Sequence, residues 1–95
     1  MRLTLDRGDT IAAVVRGAIG ESLVVVMPAT LDPLAMAQAR AAIGPLAMEL
    51  APATRLNAVV MIQGADPDHV DAAVAFLDGA LSTTGQLIEI HASRP

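Results

Sequence analysis

The sequence predicts an α/β domain: a small parallel sheet of about four strands with crossover helices. Three observations point there. Two apolar runs rich in β-branched residues, at 23–27 and 56–62, lack the alternation of a half-solvated strand and read as strands buried on both faces, the habit of parallel sheets. Two helix starts carry the same signal, a capping Asp followed by Pro at the first helical position, at Asp32-Pro33 and Asp66-Pro67. The elements alternate β-α-β-α-β-α-β, an order that implies parallel strands joined by helices.

Residues 2–5 alternate polar and apolar and form a short first strand with one buried face. Asp6-Arg7-Gly8-Asp9 is a turn; Arg7-Gly8-Asp9 spells an adhesion tripeptide, but a turn leading into a helix is the better reading. Asp9 is expected to cap a helix with Ile11, Val14, Val15, Ala18 and Ile19 on one side, ended by Gly20. After the strand at 23–27, Pro28 stops the extended run. A long Ala-rich helix over 32–50 follows, with Gly44-Pro45 inside it, where a kink or break is expected because proline removes a hydrogen bond. Pro52 closes that segment. Beyond the strand at 56–62, Val70, Ala73, Val74 and Leu77 make the stripe of a third helix, ended by Gly79, and 86–91 is the last strand.

The 95 residues make one domain, spanning 1–95, that buries somewhat over ~60% of the unfolded chain's surface. Apolar residues are 54% of the chain and aromatics 1%, so Ala, Val, Leu, Ile and Met must fill the interior. The formal net charge is −4, all six basic side chains are Arg, and none cluster. Nucleic-acid binding and docking on anionic membranes are therefore not expected. Without cysteine there is no disulfide, zinc–thiolate site or thiol nucleophile. The charged first residues do not read as a signal peptide, and a cytoplasmic location is the expectation.

Two stretches resemble short-chain dehydrogenases/reductases. Leu46-Ala47-Met48-Glu49-Leu50-Ala51-Pro52, continuing to Arg55-Leu56-Asn57-Ala58-Val59, is similar to the A-L-E-L-A-P…R-V-N-A-V segment of that family, where a helix leads into the sixth strand. The stretch 66–77 with Thr84-Gly85-Gln86 is similar to the family's closing helix and its turn into strand seven. The resemblance implies the back half of a Rossmann-like domain. The family's T-G-x-x-x-G-x-G nucleotide fingerprint is absent, and with it the glycine turn that brings backbone to a pyrophosphate. Aligned from Glu49, the family's Y-x-x-x-K positions are Asp32 and Met36, and the chain has no Tyr or Lys at all. A capping Asp and a Met cannot replace a phenol acid and the ammonium that tunes it. The closing D-G-G of the family is replaced by His91-Ala92-Ser93. No catalytic, cofactor-binding or metal-binding residue is assigned, and no cofactor is expected.

Other polar groups have ordinary readings. Asp66, Asp68, His69 and Asp71 suit a helix N-terminus better than a metal site, since consecutive helical positions point in different directions. His91 lacks an obvious partner, Ser93 being too close in sequence, and Glu49 is expected to pair with Arg55. The helix over 32–50 is the unusual element, because apolar side chains cover most of its circumference and a helix apolar all round should be buried all round. Leu34, Met36, Ala37, Ala41 and Met48 are its expected interface residues. In the family this helix and the one before it build a four-helix dimer interface, which the resemblance implies here too.

Right-handed crossovers through a simple strand order would place all three helices on one side, although the family resemblance allows the last on the other. Three helices are expected to cover both faces of the sheet poorly, and the first strand is expected to be an open edge. The sequence thus suggests a non-catalytic interaction module: a homo-oligomer, or a subunit of a full-length reductase. The alternative is a small-ligand-binding domain with its pocket at a subunit interface, near the strand C-terminal ends.

Overall fold

A computed structural model describes residues 1–92. Four strands, β1 (Arg2–Thr4), β2 (Ser22–Met27), β3 (Arg55–Met61) and β4 (Leu87–Ile90), form one all-parallel sheet in the order β1-β2-β3-β4. Three helices connect them: α1 (Ile11–Arg16), α2 (Pro33–Leu50) and α3 (Pro67–Gly79).

The β2–β3 pair is the heart of the molecule. Their register, Leu23↔Leu56 through Met27↔Val60, sets apolar against apolar at nearly every step. No residue from 23 to 27 is more than 1% exposed, and Leu56, Ala58, Val59 and Val60 are fully buried. Complete burial of one such large aliphatic side chain is worth about 1.5–3 kcal/mol, so these two strands dominate the hydrophobic stabilisation.

Both faces are covered because the helices divide between them. Ile11 and Val15 of α1 and Ala39, Ile43, Leu46 and Ala47 of α2 pack on the face carrying Leu23, Val25, Met27, Ala58 and Val60. Val70 and Leu77 of α3 pack on the other, against Val24, Val26 and Val59. Every connection steps one strand in the same direction, so a helix on the opposite face reverses the hand of its crossover. The simple strand order therefore does not put all three helices on one side, and three helices suffice to bury both faces of the central strands.

β1 is an open edge of the sheet, as expected, with a partner strand on one side only. β1 has only three residues in strand conformation, Arg2 and Thr4 are exposed, and the Arg2 guanidinium is 2.6 Å from the Asp71 carboxylate on α3. A short edge carrying an ion-paired charge is a form that resists strand addition.

Local chemistry explains the helix ends. The Asp32 carboxylate accepts from Ala35 N–H at 2.9 Å, and Asp66 accepts from Asp68 N–H at 2.8 Å, each with Pro in the first turn. Around α1 the outcome changes. Thr10, not Asp9, is the N-cap residue, and it makes no side-chain cap bond. Asp9 instead folds back to accept from Asp6 N–H at 2.9 Å, closing the turn whose tip is Gly8 at φ +88°. The helix stops at Gly17 rather than Gly20, and Ile19 is 89% exposed rather than on a buried stripe.

The expected break in α2 does not occur: the helix runs through Pro45 to Leu50. The physical reason lies on either side of the ring. Gly44 has no Cβ to clash with the proline that follows it. The carbonyl of Ala41, deprived of its donor, belongs to an exposed residue, while Ile43, Leu46 and Ala47 anchor both flanks to the core.

Among the described residues, Asn57 is the one buried polar side chain, and both its amide nitrogen and its amide oxygen are hydrogen-bonded. Its amide donates to Thr83 O at 3.0 Å, and its carbonyl oxygen accepts from Gln86 N–H at 3.0 Å. Beside it, the Thr84 hydroxyl accepts from Leu56 N–H at 3.0 Å, and Gly85 N–H donates to Leu56 O at 2.7 Å. Gly85 takes φ +77°, left-handed backbone that favours glycine. The loop before β4 is thereby bolted to the start of β3.

Asn57→Ala is expected to remove the hydrogen bonds to Thr83 O and from Gln86 N–H and lower stability by about 1–2 kcal/mol, read as a shift in the urea midpoint; an unchanged midpoint would show that the loop does not depend on it. Arg55 donates to Ala80 O at 2.6 Å, at the C-terminal end of α3. Arg55→Met is expected to cost about 1–2 kcal/mol, with amide exchange accelerated in the last turn of α3 and little changed in β2.

Candidate interaction face

α2 lies across the sheet with one side down. Ala39, Ile43, Leu46 and Ala47 are buried, and Ala35, Met36, Ala42 and Leu50 are half-buried along its flanks. The opposite side carries Leu34, Ala37, Gln38, Ala41, Gly44, Pro45 and Met48, all exposed. At about 100° per residue these positions fall on one stripe along the helix. Leu34 is 67% exposed and Met48 81%, so two large apolar side chains project at the ends of the stripe, with Gln38 and small residues between them.

Four of the five residues expected at an interface, Leu34, Ala37, Ala41 and Met48, lie on this stripe. Met36 does not, because it packs half-buried against the core formed by α1, α2 and the sheet. Gly44 and Pro45 belong to the stripe and were not expected there. Their sequence signal, a helix breaker, masked their place on the exposed side of a continuous helix.

Ion pairs flank the helix. Arg16 of α1 donates to both Glu49 oxygens, at 2.8 and 3.0 Å, joining the ends of α1 and α2. This replaces the expected Glu49–Arg55 pair, because Arg55 turns instead to the end of α3. On the other side Arg40 reaches Glu89 of β4 at 3.2 Å, and His91 Nε2 stands 3.8 Å from the same carboxylate. Ser93 lies outside the described residues.

The two positions aligned with the family's acid and lysine are now placed. Asp32 sits beyond the C-terminal end of β2 with its carboxylate occupied by the α2 cap. Met36, one turn on, packs against the core. A cleft of about 240 Å³ opens between α1 and α2 near the C-terminal end of β1, lined by Leu5, Thr10, Ile11, Gln38 and Ala39 among others. This is the end of the sheet where the alternative reading expects a pocket, but its walls are mostly apolar.

The acidic group at the start of α3 disperses. Asp66 caps the helix and Asp71 faces Arg2. Among the described residues no group of three or more His, Cys, Asp or Glu is gathered as a metal site would require. Among the same residues no helix is long and apolar enough to cross a membrane.

A family model described as short chain dehydrogenase-like protein matches residues 7–90 of the chain. No curated protein and no solved structure matches it.

The hydrogen bond from Arg16 holds the Glu49 carboxyl below its usual range. A carboxyl with a depressed folded-state pKa stabilises the fold above its unfolded value, and that contribution disappears as pH falls through the folded one. The stability difference between the native sequence and Glu49→Gln is therefore expected at neutral pH and should shrink on acidification, as followed by thermal melts across the acid range. A difference that stays constant with pH would mean the pair contributes nothing electrostatic.

Proposed function

The chain belongs to the short chain dehydrogenase-like family, and we propose that it is a non-catalytic member of it, an interaction module that pairs with a second copy of itself through the outer stripe of α2. The observation that carries this reading is that stripe. Leu34 and Met48 stand equally far along the helix on either side of Ala41, with Ala37 and Pro45 between. A twofold axis at Ala41 sets two such helices antiparallel. It brings Leu34 of each copy opposite Met48 of the other and small residues opposite small ones at the centre. Such a surface is self-complementary, as an interface between identical subunits requires. Small central residues let the backbones approach to the close end of the usual 8–10 Å helix separation.

The outward apolar surface is what supports association. The sheet faces no longer do, since both are covered within one chain. The charged β1 edge does not invite a partner strand either, which leaves the outer face of α2 as the favoured contact.

The non-catalytic part of the proposal rests on the chain's own residues. Hydride transfer of the family's kind needs a proton donor poised beside the substrate and a group that lowers its pKa. At the aligned positions stand a carboxylate engaged as a helix cap and a thioether packed on the core. With no Tyr or Lys anywhere in the chain, neither role can be filled from another position by the same side-chain types.

Size-exclusion chromatography with light scattering at micromolar concentration is expected to return the mass of a dimer, and Ala41→Arg to return a monomer with an unchanged circular dichroism spectrum. A native chain that runs as a well-behaved monomer would overturn the proposal. Titration of NADH or NADPH into the chain should leave nicotinamide fluorescence unaltered; saturable enhancement would restore a cofactor site and sink the non-catalytic reading.

A further inference from the structure

We draw no further inference here: the strongest candidate, the shallow groove of about 390 Å³ between the C-terminal end of α3 and the start of β4, lined by Phe76, Leu77, Thr83, Gln86 and Ile88, carries nothing because nothing in the structure shows what covers it.

Discussion

The rest of the structure follows from the need to cover two adjacent strands that are apolar on both sides. β2 and β3 present Leu23, Val25, Met27, Leu56, Ala58 and Val60 to one face and Val24, Val26 and Val59 to the other, and neither face tolerates water. One helix layer covers one face. The division of α1 and α2 from α3 is the solution, and it requires the last crossover to take the opposite hand from the first two. The general preference for right-handed connections is strong, so the packing of Val70 and Leu77 onto Val24, Val26 and Val59 must outweigh it. Once the two faces are closed, the outer side of α2 remains a long, largely apolar surface without cover.

The residues that carry the family resemblance serve the scaffold. Glu49 ties the end of α2 to α1 through Arg16, and Arg55 holds the end of α3. Asn57, Thr84 and Gly85 weld the last loop to β3. These contacts keep the strand order and the helix positions in place whether or not chemistry is performed at the other end of the sheet. At the positions aligned with the family's acid and lysine, the same scaffold places a helix cap and a core contact.

How much was legible varies with the range of the interaction. The two Asp-Pro starts read correctly because a cap bonds within three residues of itself. The continuous apolar runs read correctly because burial on both faces leaves no room for alternation. The start of α1 did not, because two carboxylate-bearing neighbours and a threonine compete for the same turn, and Asp9 found its donor behind it at Asp6. That α2 continues through Pro45 without a break was not legible, because the tolerance of the helix depends on Gly44 and on core anchors that flank the ring. The partner of Glu49 was not, because Arg16 is distant in sequence and near only after α1 and α2 have packed.

The sequence by itself determined the element order, the parallel sheet, the two capped helices and the family, because each rests on local periodicity, on side chains that bond their own neighbourhood, or on a run of residues in fixed order. Only the tertiary structure decided which face α3 occupies, which side of α2 is left outward, and which charges meet. Those depend on the hand of a crossover and the rotation of a helix about its axis. Both are set by the fit between distant apolar surfaces, and no spacing along the chain records that fit.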